Sequence, residues 1–182
     1  MAHERTDSYL KDSLALFRYY KKLAESAIAQ CPDAGLIAEL DERSNSIATI
    51  VKHMHGNMLS RWTDFLTTDG EKATRDRDGE FEKPPKTRAE ILDLWDAGWK
   101  CFLGALEGLS DVDLTKTVKI RGEEHSVMQA INRQIAHYSY HIGQIAYLAR
   151  HLAGENWKSL TIPKNKSQDF NSDVAAGKKS QR

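Results

Sequence analysis

The chain has no excess charge of either sign. Its 26 Lys and Arg are balanced by 26 Asp and Glu over 182 residues, a formal net charge of zero. No global field therefore points to nucleic acid or to an anionic membrane surface. A run of about eighteen apolar residues, the length a membrane helix needs, is also missing. The opening residues Met1-Ala2-His3-Glu4-Arg5 lack a signal-peptide core. Cysteine is scarce: Cys31 and Cys101 lie in separate segments without C-x-x-C spacing, which argues against a disulfide framework. No internal repeat is evident. These absences leave a soluble cytoplasmic protein as the expectation, with no nucleic-acid or membrane partner and enough length for one self-sufficient core.

What is present is helical periodicity. Tyr9, Leu10, Leu14, Phe17, Tyr20, Leu23 and Ala24 predict a first helix over about Thr6 to Gln30, capped by Thr6 or Asp7 and ended by Cys31-Pro32-Asp33. A second helix runs from Ser44 or Ser46 to Leu66, with Ile47, Ile50, Val51, Met54, Met58, Trp62 and Phe65 as its apolar stripe. The polar stretch Thr67 to Lys86 carries turn signals at Asp69-Gly70 and Pro84-Pro85 and is long for a compact domain, the mark of a functional or mobile loop. Its charges from Glu71 to Arg77 are expected to be solvated. Thr87 and Glu90 form a capping box for a third helix, whose buried face is Ile91, Leu94, Trp95, Phe102, Leu106 and Leu109. Leu114 to Glu123 alternates β-branched residues toward Gly122 and predicts a short extended crossing or small hairpin.

The longest helix follows. Ser126 and Gln129 make another capping box, Val127, Ile131, Ile135, Ile142, Ile145, Leu148 and Leu152 recur at threes and fours, and Gly154 is a stop. Four amphipathic helices with long connections predict an all-α four-helix bundle over residues 1–164. The polar tail, 165–182, has too few apolar residues to pack as an element. Phe170 is its one candidate anchor, and the last ten residues are expected to be disordered.

His137 and His141 lie one turn apart on the long helix, about 40° from each other around the axis, and can grip one ion together. The third ligand has to come from elsewhere. His53 and His55 in the second helix differ by about 200°, so one ion takes only one of them. A helical wheel places His55 nearer the apolar stripe and chooses it. The face around His53, however, carries Ser46, Thr49, Asn57 and Ser60, with Asp64 at its end. A solvated face usually carries Lys and Glu. Short neutral polar residues suit the lining of a wet cleft, and Arg133, Gln134, Tyr140 and Gln144 give the long helix a matching polar face. Two such faces meeting would gather His53, His137 and His141.

Ile50 through Lys72, Ile131 through Ile145, and the tail from Ile162-Pro163-Lys164 to Phe170-Asn171 resemble the DUF1572 branch of the DinB superfamily. The resemblance spans about Tyr9 to Asn171. It implies a four-helix bundle with a divalent ion held by a histidine on helix two and an H-x-x-x-H pair on helix four; zinc and nickel are the ions that suit imidazole ligands. Carried over by position, these are His53, His137 and His141, and His55 has no counterpart. The resemblance further implies a homodimer and a low-molecular-weight thiol of the bacillithiol or mycothiol kind as cosubstrate.

Three imidazoles leave metal positions open, the arrangement of catalytic rather than structural zinc. The reading that follows is a thiol S-transferase. Asn57, Arg61, Arg133, Tyr140 and Gln144 are candidates for supporting the site or contacting a small-molecule substrate. The alternatives are a non-catalytic, stress-associated metal-binding homodimer and a metal-dependent hydrolase. The hydrolase reading has only Asp64 as a carboxylate on the His53 face, three turns away.

Overall fold

A computed structural model of the chain describes residues 5–180. Helix α1, Tyr9–Gln30, is capped by Ser8 and not by Thr6 or Asp7. The Thr6 hydroxyl is taken by the Ser8 N–H at 3.1 Å, and the Ser8 hydroxyl accepts from the Lys11 N–H at 3.1 Å. Cys31-Pro32 ends it, and a single turn, α2 (Asp33–Leu36), follows. Helix α3, Ile47–Trp62, is capped by Ser46 and stops short of the expected Leu66. Asp64 adopts a left-handed φ of 48°, a conformation short polar side chains tolerate, and its carbonyl accepts from the Thr67 and Thr68 N–H groups at 3.0 Å. Phe65, part of the predicted stripe, is buried all the same.

Helix α4, Arg88–Glu107, opens on the Thr87–Glu90 capping box and α5, Val127–Ala153, on the Ser126–Gln129 box, both as the sequence predicts. Between them strands β1 (Thr117–Ile120) and β2 (Glu123–Ser126) form an antiparallel hairpin in the register Thr117↔Ser126 to Ile120↔Glu123. Its two-residue turn has φ of 57° at Arg121 and 78° at Gly122, the mirror-image turn that matches strand twist.

The long helices α1, α3, α4 and α5 make the bundle, with α3 lying chiefly along α4 and α1 chiefly along α5. Phe102 sits at their common centre. Its ring centroid is 4.5 Å from Phe17 on α1, 4.9 Å from Trp62 on α3 and 5.1 Å from Tyr138 on α5. Gly98 lets α3 approach α4 closely, since a Cβ there would lie 3.0 Å from the Met58 sulfur and 3.2 Å from the His55 Cα. In the tail a local helix, α6 (Ser167–Ala175), forms where the composition predicts no packed element, and none of its residues is buried. Phe170 lies beneath the Lys179 ammonium, 5.8 Å from its ring. Of the stretch expected to be disordered, residues 181–182 lie outside the described residues. Among the described residues no helix is long and apolar enough to cross a membrane.

Candidate metal centre

Helix α3 offers one polar face to the bundle and α5 offers another, and the histidines meet where the two faces meet. The Nε2 atoms of His53 and His141 lie 3.2 and 3.1 Å from the Nε2 of His137. One ligand atom from each of the three falls within 4.8 Å of the others. His53 and His141 are buried and His137 is half-buried. His55, which a helical wheel favours, sits instead beside Gly98 at the α3–α4 contact.

The far nitrogens decide what the near ones can do. The His53 Nδ1–H donates to Glu80 Oε2 at 2.8 Å, and the His141 Nδ1–H donates to Gln144 Oε1 at 2.8 Å. A neutral imidazole carries one hydrogen, so both rings turn a bare Nε2 lone pair toward His137. The His137 Nδ1 is buried without a partner among the described residues. At most one hydrogen, on the His137 Nε2, can sit among three converging lone pairs. A cation satisfies all three at once. Zinc–nitrogen bonds of about 2.0–2.1 Å in tetrahedral geometry put two ligand nitrogens about 3.3 Å apart, close to the two separations from the His137 Nε2. The donor set therefore fits a divalent ion.

Electrostatics keep the His137 and His141 rings in the neutral, ligating form. Burial, then the neighbouring His141 and His53 and the Arg75 and Arg61 charges, pull the His137 pKa down to about 3. Burial pulls His141 down to about 4, against the hydrogen bond to Gln144 and with the help of His53. Both are neutral at pH 7, as metal binding requires.

The cluster has a support that the periodicity of the sequence hides. The 67–86 loop folds across the polar face of α3 and buries it. Within it a 3-10 turn, Gly79–Phe81, brings Glu80 onto His53 Nδ1 and stacks the Phe81 ring 4.8 Å from the His53 ring. The Arg75 side chain, only 4% exposed, donates from Nε to Glu80 Oε1 at 2.7 Å and from Nη2 to Oε2 at 3.0 Å. Burial pushes the Glu80 carboxyl up, but the His53 and Arg75 hydrogen bonds outweigh it and hold the group below the ordinary glutamate range. The expectation that the Glu71–Arg77 charges are solvated holds for Asp76 and Arg77, which are exposed, and fails for Glu71 and Arg75. Glu71 Oε2 accepts from Arg61 at 2.8 Å, Arg121 at 3.0 Å and Arg75 at 3.5 Å, tying loop, α3 and hairpin together. Asp69 caps the hairpin turn, accepting from the N–H groups of Arg121 and Gly122 at 2.8 and 2.7 Å.

A family model described as "Protein of unknown function (DUF1572)" matches residues 4–166. The chain belongs to the DUF1572 family. A solved structure of a DinB-like protein from Bacillus cereus ATCC 10987 is similar in fold, with a TM-score of 0.60 at 19% identity, over 78% of this chain and 91% of that one. At that identity the likeness concerns the fold alone. Comparison with curated proteins finds no match.

In this DUF1572 chain the supporting candidates divide. Gln144 is placed on His141, and its Nε2 donates to the Tyr140 hydroxyl at 3.1 Å. Tyr140 is 62% exposed and packs its ring edge-on against His141. Asn57 is turned away, accepting from the Tyr138 hydroxyl at 3.2 Å beneath the cluster. Arg61 is buried and spoken for, donating to the Gly70 carbonyl and to Glu71, so it anchors the loop and offers no free anion site. Arg133 is exposed on the outer side of α5. Glu80 and Arg75 escape sequence reasoning because they lie in a stretch without periodicity. The signal for them is indirect: a helix face of short polar residues that has to be covered by something.

Proposed function

We propose that His53, His137 and His141 bind one divalent ion, zinc or nickel, and that the protein is a metal-dependent enzyme acting on a low-molecular-weight thiol, most simply an S-transferase. The observation that carries the metal site is the convergence of three Nε2 atoms, two of them stripped of hydrogen by Glu80 and Gln144. The ion would supply Lewis acidity, which deprotonates a thiol near neutral pH. His53, His137 and His141 hold it, Glu80 and Gln144 orient two of the rings, and the Tyr140 hydroxyl is the exposed polar group next to them. Thiol chemistry is favoured over hydrolysis by the state of the carboxylates. Hydrolysis asks for a free base, whereas both Glu80 oxygens are engaged by Arg75 and Oε2 also accepts from the His53 Nδ1–H, on the side of the ring away from the ligating nitrogen.

The same reading takes the protein as a cytoplasmic homodimer. Tyr140 and Tyr147 on the outside of α5 are both strongly exposed and supply apolar surface for a second copy. Sedimentation equilibrium at micromolar protein tests this, and a monomer of 20.6 kDa rules it out. Elemental analysis of the wild type and of His53→Ala, His137→Ala, His141→Ala and His55→Ala tests the site. One ion per chain is expected in the wild type and in His55→Ala, and a strongly reduced content in the other three. Loss of metal in His55→Ala with retention in His53→Ala would sink the assignment. A thiol-conjugation screen with and without chelator then tests the chemistry. A metal-loaded protein inactive with every thiol and electrophile leaves a metal-binding bundle without catalysis.

A further inference from the structure

The Gly79–Phe81 turn is fixed on α3 by devices that serve no purpose in the apolar core. Lys52, one residue before His53, donates from Nζ to the carbonyls of Gly79 at 2.7 Å and Glu82 at 2.5 Å. Gly56, three residues after His53, lies directly under the Glu80 side chain. A Cβ at Gly56 would stand 2.3 Å from Glu80 Oε1 and 2.7 Å from its Cδ. The helix thus gives up a side chain where the carboxylate must lie flat. Arg75 grips both carboxylate oxygens from the opposite side, and Phe81 stacks on the imidazole that the carboxylate orients. A buried ion pair alone would need none of the cradle, the lysine tether or the stacked ring.

We propose that Glu80 is a positioning residue of the metal site: it holds His53 with Nε2 bare toward the ion, and through this bond metal binding and docking of the 67–86 loop strengthen each other. The proposal rests on the three-histidine reading above and adds the coupling. A carboxylate on the far nitrogen of a ligating imidazole fixes its tautomer and raises its basicity, and removing such a partner typically weakens metal binding about 10–100-fold. Coupling is reciprocal, so whatever factor the docked loop adds to metal affinity, the metal adds to loop docking.

The test is titration of metal-free protein with zinc and with cobalt(II) against a chromophoric chelator, for the wild type, Glu80→Gln, Glu80→Ala and Gly56→Ala. Glu80→Ala is expected to weaken both ions about 10–100-fold. Glu80→Gln keeps one acceptor but loses the charge, and should fall between it and the wild type. Gly56→Ala is the sharper variant. The added Cβ must push Glu80 aside, so if Glu80 served only stability the variant would be less stable with unchanged affinity per folded molecule. A positioning role predicts weaker binding and an altered cobalt absorption spectrum as well. Amide exchange supplies a readout independent of any activity: zinc should protect residues 67–86 in the wild type and fail to do so in Glu80→Gln. Should Glu80→Ala not fold, because Arg75 is left unpaired in the interior, the other two variants measure the same quantity. A wild type that takes up no ion overturns both the site and the coupling. Wild-type uptake, with Glu80→Gln and Gly56→Ala within twofold of it and equal loop protection, overturns the role of Glu80 alone.

Discussion

The two faces of helix α3 are buried to nearly the same degree by opposite means. On one, Ile47, Val51, Met54, Met58 and Trp62 are removed from water against the rest of the bundle. On the other, Ser46, Thr49, His53, Asn57, Ser60 and Arg61 are no more than 8% exposed, yet all are polar. The apolar face needs only neighbours of the right shape, and its burial drives folding at about 25 cal/mol per Å². Each group on the polar face needs a named partner, because an unmatched buried donor or acceptor costs about 1–3 kcal/mol. The Ser60 hydroxyl donates to the Gly70 carbonyl at 2.8 Å, Arg61 holds Glu71, and His53 holds Glu80. One face stabilises the fold by burying apolar surface, and the other gathers directional partners around His53.

If that division is right, the largest stability loss comes from the apolar side. Phe102→Ala empties the point where all four long helices meet and should cost about 3–5 kcal/mol in urea denaturation. Ion affinity per folded molecule should stay near the wild-type value. A large fall in affinity together with stability would show that the two faces are not separable.

Removing the ion probes the polar side. Stripped protein should keep its far-UV circular dichroism, since the apolar core packs without the three histidines, but lose the stabilisation that mass action supplies, about 2.7 kcal/mol when free ion stood at 100 times Kd. An unfolded apo-protein would make the histidines a structural staple. Acid sharpens the test. His137 and His141, at about 3 and about 4 in the folded chain, start from 6.5. Below pH 6.5 the unfolded chain binds protons that the native rings refuse, so apo-protein stability should be level above pH 6.5 and fall steadily toward pH 4. Replacing both rings by Gln should flatten that limb.

How much of this was open to sequence reading follows the same division. The bundle was legible because an apolar stripe states its own period, and because Ser126–Gln129 and Thr87–Glu90 mark helix starts through side chains three residues apart. The His137–His141 pair is local for the same reason. Glu80 is 27 residues from its partner His53, in a loop whose charges look like any solvated run. Polar recognition depends on direction and partner, neither of which leaves a periodic trace. The readable clue was negative: the His53 face lacks the Lys and Glu of an open surface, so it had to be covered, and the long loop is the stretch with no other task.

A smaller effect should come from the loop anchor. Arg61→Ala removes the donor to the Gly70 carbonyl and Glu71 at the end of α3. Glu71 retains Arg121 and Arg75, so the loss should be modest, about 1–2 kcal/mol. It should appear first as faster proteolysis within 67–86, since local opening precedes global unfolding. Cleavage unchanged from the wild type would mean that hairpin and Arg75 contacts hold the loop without it.

The smallest effect separates a buried arginine from an exposed one. Arg133 lies on the water side of α5, and replacing it with Ala exchanges one good helix former for another. The change should move stability by no more than about 0.5 kcal/mol and leave metal content unaltered. Its value is in what remains. Arg61 is already committed to Glu71, so Arg133 is the arginine among the sequence candidates still available to meet an anionic group on the thiol substrate proposed above. Loss of such a contact would raise KM with kcat nearly constant, because it acts on bound and reacting substrate alike. A fall in kcat with KM unchanged would place Arg133 in the reacting geometry instead, and no change in either would leave it a surface residue of α5.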